Sequence, residues 1–398
     1  MKILQLTTYD VENPNHGGKL RSHHIRKSLR REYEVETLSF EWSNGEDCSS
    51  FNVLLDVGKW NDLDIDGVVV DWGISVYLNN NPAAFSAIAE NIRRYAPDIL
   101  LIEQPFTWPI VKSLMSKGII SSSIPIIYSS QNIEIEMKRK IYFDYFGEEK
   151  ATYFTSLTDQ VERDLINSCV GALAVSKQDA DYIHQIAPGK KVEVFSNGHT
   201  RPVLKGSADT WKTKFAAHKA NWVFVASWHP PNINGLRDLV ESIPANISEN
   251  DFALWVLGGV GSGLLETPSF DIQRYPWLHI MGPAEAEDIE AALLLSSGIV
   301  LPIWEGGGSN LKTAQALLSE KCIVGSNFAF RGFEDYSSAK GVFLADDPAG
   351  LARLLVEARP ESSYARYATA KELEWGTILE SLPSYVSMLT NMNIAKAS

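Results

Sequence analysis

Short apolar runs alternate with longer amphipathic stretches along the whole chain, a pattern that predicts successive parallel α/β units. In the first half, Lys2–Thr8 reads as a strand, Gly18–Arg31 as a helix and Val35–Phe40 as a second strand. Further strands are predicted at Ile99–Glu103, Ile124–Ser129, Gly171–Ser176 and Lys191–Phe195, with a helix starting at Lys177. The stretch Ser43–Asn80 is rich in Asp and Gly, shows little periodicity and reads as an excursion from the core. The second half repeats the grammar. Strands are predicted at Trp222–Ala226, Phe252–Leu257, Trp277–Met281, Gly298–Leu301, Cys322–Gly325 and Val342–Leu344. Helices are predicted at Asn234–Ile243, Ala284–Leu295 and Asn310–Leu318. Turn residues followed by a polar helical stretch make Ser196–Ala220 the best interdomain boundary. The expected division is residues 1–199, residues 200–375, and a C-terminal helical segment, 376–398, packing back on the first domain. Ligands of such domains gather at the carboxyl ends of the strands, where loops and helix N-termini converge.

The length of 398 residues suffices for two domains, each with its own core. Charge removes one class of partner. The net −13 is shared between the halves, −7 before residue 200 and −6 after it. Nucleic acid demands a basic footprint, so it is not expected as a partner. Cys48, Cys169 and Cys322 are odd in number and far apart, which fits a reducing compartment without disulfides. No signal peptide is read at the start, and no apolar run approaches the ~18 residues of a membrane span. The chain reads as cytoplasmic.

The most informative stretch is Leu301–Leu318, LPIWEGGGSNLKTAQALL. A strand end is followed by an acid, three glycines and a Ser-Asn pair able to cap a helix. Glycine amides and a helix N-terminus together suit a diphosphate, and Lys312 adds a full charge. Glu305 would repel phosphates, so sugar hydroxyls are its natural partners. The plainer reading is a glycine-rich connection with a solvated Glu.

Trp304–Leu318 resembles the EGGGSxxKxxEA element of family 4 type glycosyltransferases. Other elements follow in the family's order. Gly17–Gly18 match its first-loop glycines, Ala174–Ser176 with Asp179 its AVSxxD pattern, and Phe195–Gly198 its PNG turn. Val223–Leu236 is similar to the first strand and loop of its donor domain, and Trp277–Pro283 to the strand that receives the nucleobase. The resemblance covers nearly the whole chain, most strongly from about residue 170 to 345. It implies an α/β fold of two Rossmann-like domains facing a central cleft, the GT-B architecture, with the acceptor on the first domain and a nucleotide-sugar donor on the second.

Carried over residue by residue, Gly306, Gly307, Gly308, Ser309, Asn310, Leu311 and Lys312 would hold the donor diphosphate, with Glu305 on the donor sugar. Met281 and Pro283 would frame the base. Gly17 and Gly18 would approach the phosphates, and Ser227 and Trp228 would face the cleft. Trp228 could equally be simple packing. Three departures stand out. Gln315 replaces the second acid of the motif, and a basic pair after the first C-domain strand is missing from Trp228–Asn232. Ser129–Glu134 resembles an HNxE segment near the acceptor, but with Gln131 where a His is frequent; Asn132 and Glu134 remain.

Other signals have competing readings. Gly258–Gly263 lacks GxGxxG order and is followed by an early proline, so a flexible turn is expected rather than a dinucleotide site. Lys19–Arg31 is a basic cluster with Lys19, Arg26 and Arg30 on one face. A solvated helix face is the default; contact with an anionic leaflet or a lipid-diphosphate acceptor is the alternative. His16, His23 and His24 lie close to the glycine loop. No His and carboxylate spacing suits a metal, Asp62–Asp66 being the only DxD-like pair, so neither metal nor cofactor is expected beyond the nucleotide-sugar co-substrate.

These readings converge on a metal-independent transferase that, like family 4, retains anomeric configuration, with a glycan or lipid-linked acceptor. The leaving diphosphate would take the acceptor's proton, and fixed amides and Lys312 would stabilise its charge. Glu305, Lys312, Asn132 and Glu134 are the catalytic candidates, with His16, Glu103 and Asn132 on the acceptor side. An inverting route would need a base, for which Glu103 and Glu134 are the carboxylates to test. The alternative is a catalytically weakened nucleotide-sugar-binding or scaffold subunit, in which Gln131 and Gln315 are relics.

Overall fold

The computed structural model describes every residue except 13, 15, 16, 66, 307, 308, 359, 362 and 398, and the backbone alone at 68, 367, 368 and 393–397. It comprises two compact units, Met1–Ser196 with Leu379–Ser398, and Asn197–Ile378.

The first unit runs β1 (Lys2–Thr7), α1 (Gly17–Leu29), β2 (Glu34–Ser43), β3 (Asn52–Asp56), α2 (Val70–Asn80), α3 (Pro82–Tyr95), β4 (Ile99–Ile102) and α4 (Trp108–Ser116). It continues with β5 (Ile126–Ser129), α5 (Glu134–Tyr145), α6 (Glu148–Ser168), β6 (Gly171–Ala174), α7 (Lys177–Ile186) and β7 (Lys191–Val194). The seven strands form a parallel sheet in the order β3-β2-β1-β4-β5-β6-β7. All residues of β4, β5 and β6 are buried, as continuous apolar runs in a doubly covered sheet require. Side-chain caps set two of the helix starts. Asn81 accepts from the Ala84 amide at 3.1 Å to begin α3, and Ser176 from that of Asp179 at 3.2 Å to begin α7.

Ser43–Asn80 is not an excursion. It supplies the edge strand β3 and helix α2, and Val53, Leu55, Ile74, Tyr77 and Leu78 join the unit's core. The pattern is weak there because β3 has only five residues and buries alternate positions, as an edge strand does.

The basic cluster differs from its expected form too. Arg21 and Arg26 are buried rather than solvated. Arg21 donates to the Phe195 carbonyl at 2.7 Å, Arg26 pairs with Glu12 at 2.7 Å, and Lys19 lies 3.9 Å from Glu41. Only Lys27, Arg30 and Arg31 of this run are exposed. Of the nearby histidines, His23 sits 3.0 Å from the Val11 carbonyl, and His16 lies outside the described residues.

The second unit runs α8 (Ala208–Phe215), β8 (Ala220–Val225), α9 (Pro230–Ser242), β9 (Phe252–Leu257), α10 (Val260–Leu265), β10 (Leu278–Gly282) and α11 (Ala286–Leu295). Then come β11 (Gly298–Leu301), α12 (Leu311–Leu318), β12 (Cys322–Ser326), β13 (Val342–Ala345), α13 (Pro348–Glu357), α14 (Tyr367–Ala370) and α15 (Trp375–Ile378). Its six strands are parallel, in the order β10-β9-β8-β11-β12-β13. A helix does begin in the glycine stretch after β9. Gly258 turns the chain at φ +91° and α10 follows for six residues, ending before Pro268.

The last helix, α16 (Leu382–Ala397), belongs to the first unit. Tyr385 donates to the Ala172 carbonyl at 3.2 Å, and Tyr33 to that of Pro383 at 3.0 Å. Among the described residues no helix is long and apolar enough to cross a membrane.

Candidate functional site

In each sheet the strand order reverses once, between β1 and β4 in the first unit and between β8 and β11 in the second. At such a reversal the loops leaving the two neighbouring strands run to opposite faces and leave a crevice at their carboxyl ends. The candidate residues concentrate at these two places.

In the second unit the loop after β11 carries Glu305 and ends in α12. Gly306 has φ +141° with open space beside it, Glu305 is half-buried, and Gly307 and Gly308 lie outside the described residues. The Asn310 side chain accepts from the Lys312 amide at 3.2 Å and so caps α12. Asn197 holds the preceding turn by donating to the Ser309 carbonyl at 3.2 Å. Two groups here are buried with no hydrogen-bond partner among the described residues, the Ser309 hydroxyl and Nδ2 of Asn310. Lys312, in the first turn of α12, has no carboxylate partner among them, and burial pushes its ammonium down to about 8. A half-buried cation on the same helix start as unused donors suits an anion. Leu311 and Gln315 are half-buried one turn apart on the same helix.

The loop after β8 lies beside this one. Ser227 accepts from the Asn232 side chain at 3.1 Å through its carbonyl, and Trp228 is 54% exposed. Close packing fixes α9 against the end of β11: a Cβ on Gly235 would fall 1.9 Å from the Pro302 carbonyl oxygen. His229, the residue at the head of α9, was not singled out by the sequence. Burial and the Lys312 charge hold its imidazole below the usual histidine range, with Glu305 opposing them. Met281 in β10 is half-buried and Pro283 just after it is exposed, on the sheet's edge strand two places from β8.

In the first unit the reversal is filled by a hydrogen-bonded network. Glu103, fully buried just past β4, accepts from Gln5 at 2.8 Å, Ser129 at 3.0 Å and Gln131 at 3.2 Å. Gln131 also donates to Ser22 at 2.9 Å and accepts from the Tyr9 hydroxyl at 2.8 Å. Burial raises the pKa of both Glu103 and Tyr9. Glu103, expected on the acceptor side, is thus enclosed by the protein's own donors. Gln131 spends both ends of its amide on this network. Gly17 opens α1, and Gly18 lies against the network: a Cβ there would fall 2.7 Å from the Tyr9 hydroxyl and 2.8 Å from Oε1 of Gln131.

Asn132 and Glu134 follow β5. Glu134 is 3% exposed, its Oε1 lies 3.5 Å from the Asn132 amide, and its Oε2 is buried without a partner among the described residues. Burial, helped by Asp71 and opposed by Lys138, pushes its carboxyl up to about 7. Among the described residues no group of three or more His, Cys, Asp or Glu could hold a metal ion; Asp62 is one of them, Asp66 is not.

Solved structures share this arrangement of two parallel sheets across the full chain. Sucrose-phosphate synthase from Thermosynechococcus elongatus matches with TM-score 0.71 at 11% identity, over 98% of this chain and 99% of its own. The E. coli trehalose-6-phosphate enzyme bound with UDP-2-fluoro glucose matches with TM-score 0.63 at 10% identity, over 98% and 99%. HepE of Anabaena in complex with UDP and glucose matches with TM-score 0.63 at 14% identity, over 98% and 100%. This is the GT-B fold. No protein-family model matches the chain, and no curated protein does. At these identities the likeness shows the fold alone, and the chemistry rests on the residues. Among the described residues, the reversal between β8 and β11 carries the cation, the acid and the unsatisfied donors, while that between β1 and β4 is filled by side chains.

Proposed function

We propose that the chain is a glycosyltransferase that moves a sugar from a nucleotide-diphosphate sugar to a glycan or lipid-linked acceptor. The observation that carries this reading is the start of α12, where, among the described residues, Lys312 makes no ion pair and the Ser309 hydroxyl and Nδ2 of Asn310 are buried without a hydrogen-bond partner. Such a group fits a diphosphate, and Glu305, in the loop that leads into α12, fits sugar hydroxyls. HepE, of the same fold, holds UDP and glucose, which supports a uridine nucleotide as the first donor to try.

The family 4 resemblance supports retention of anomeric configuration without a metal. In that route the β-phosphate of the leaving group accepts the acceptor's proton on the face it leaves. Lys312 and the loop amides then stabilise the charge that grows on the diphosphate. Glu134, protonated for part of the time near neutral pH, would serve as a hydrogen-bond donor to a hydroxyl or an anionic group of the acceptor. We place the reaction in the cytoplasm. Buried Arg21 and Arg26 weaken the case for a membrane contact through Lys19–Arg31.

The test is product analysis. Incubation with UDP-glucose and related donors, without metal and with simple glycoside acceptors, should release nucleoside diphosphate and give an α-linked product from an α-donor by proton NMR. Binding of donor with neither release nor transfer would leave the weakened binding subunit as the better description.

A further inference from the structure

Two histidines meet towards the amino ends of the second unit's strands, away from the carboxyl end of β11 that carries Glu305. His218 lies two residues before β8, and His279 is the second residue of the edge strand β10. Their ring centres are 5.1 Å apart, with the planes inclined at 52°. Both rest on Trp255 of β9: His279 stacks on the indole at 4.1 Å, and His218 meets it in an edge arrangement at 5.7 Å. The indole is fixed in turn. It donates from Nε1 to Asn221 at 2.9 Å, and Asn221 donates to the His218 carbonyl at 3.2 Å.

The ring nitrogens are set as well. Nδ1 of His218 lies 2.5 Å from the Glu249 carbonyl, which can only accept, so Nδ1 carries the proton and Nε2 keeps a lone pair. An outer hydrogen bond of this kind is what fixes a metal-ligating histidine. Nε2 of His279 is buried without a hydrogen-bond partner among the described residues. Two imidazoles bound side by side to one ion, each nitrogen about 2.0–2.1 Å from it, have centres roughly 4.5–5.2 Å apart. The spacing here falls in that range. Charge does not oppose a cation. Lys219 is paired with Asp251 at 2.7 Å, and the Glu249 carboxylate acts on the His279 ring.

We infer that His218 and His279 form a two-imidazole site for a divalent transition metal such as Zn2+, Ni2+ or Cu2+. Among the described residues no third His, Cys, Asp or Glu joins them, so water fills the remaining positions. Imidazole suits these metals, whereas Mg2+ and Ca2+ take oxygen ligands. The bound ion ties the segment before β8 to the edge strand β10, across β9. It takes no part in sugar transfer, and the site stands independently of the proposed donor site.

Calorimetric titration of the full chain with Zn2+, and electron paramagnetic resonance with Cu2+, test this. Wild type should bind one Zn2+ at micromolar Kd in the presence of excess Mg2+. Its Cu2+ spectrum should show nitrogen couplings from two imidazoles. Two variants remove one ligand each while sparing the packing. His279→Phe keeps a ring on Trp255 without nitrogens, and His218→Asn keeps a donor for the Glu249 carbonyl without Nε2. Each should weaken Zn2+ binding about tenfold or more. Zn2+ affinity unchanged in either variant, a wild-type Cu2+ spectrum without two nitrogens, or no Zn2+ binding by wild type would overturn the inference. None of these results bears on donor binding.

Discussion

The Glu162 carboxylate accepts the backbone amide of Glu134 at 3.0 Å, so a side chain from α6 closes the N-terminus of α5. Its other oxygen takes the Ile135 amide at 3.2 Å, and the Tyr128 hydroxyl adds a third donor at 3.1 Å. The helix start that carries Glu134 is thus pinned by a second buried acid. Two carboxyl groups are brought close where water cannot separate their charges.

This pair makes stability depend on pH in an unusual direction. Burial pushes Glu134 up to about 7 and Glu162 up to about 8. In the unfolded chain both titrate near ~4.3. Between these limits the folded protein holds protons that the unfolded chain has released, so stability falls as pH rises from roughly 5 to 8. The Tm should therefore drop across that window, and Glu134→Gln should flatten the drop. A Tm that rises through it, or one equally steep in the variant, would contradict this account.

Glu162→Ala removes the cap and leaves two helix amides without their acceptor. The expected loss is about 2 kcal/mol in denaturant unfolding. Glu162→Gln keeps one acceptor and should lose less. Equal losses would mean that the hydrogen bonds to Glu134 and Ile135 are not what the carboxylate contributes.

Gly18→Ala places a methyl against the Tyr9 hydroxyl and the Gln131 amide. Overpacking of this kind costs about 1–3 kcal/mol. Tyr9→Phe in the same chain removes one of the two clashing atoms and should recover part of the loss. No recovery would place the strain elsewhere.

At Gly235 the clash is with backbone, which cannot step aside as a side chain can. Gly235→Ala should destabilise the second unit and move the end of β11 that carries Glu305. Loss of stability by about 2 kcal/mol, with at least as large a relative loss of donor affinity, is expected. Full stability would show that α9 and β11 can part without penalty.

Much of this was legible in the sequence. Central strands such as Phe252–Leu257 and Gly298–Leu301 appear where the apolar runs place them, because both faces are covered. The cap at Asn310 was readable for the same reason: one short stretch holds both the capping group and the helix it starts. Two of the misses depend on partners far away in the chain. Arg21 is buried because its acceptor, the Phe195 carbonyl, lies 174 residues on, and the basic run alone does not reveal it. Gln131 reads as a lost histidine until Tyr9, Ser22 and Glu103 close around it. The β3 and α2 region was hidden differently, by a short edge strand among Asp and Gly residues.

Donor binding at the β8–β11 crevice is the claim on which the rest depends, and calorimetry tests it most directly. A panel of nucleotide sugars should include one that binds wild type at micromolar Kd, with Lys312→Ala and Glu305→Ala each weakening it by tenfold or more. Binding by none of them, or binding that both variants leave untouched, would contradict the assignment of this crevice.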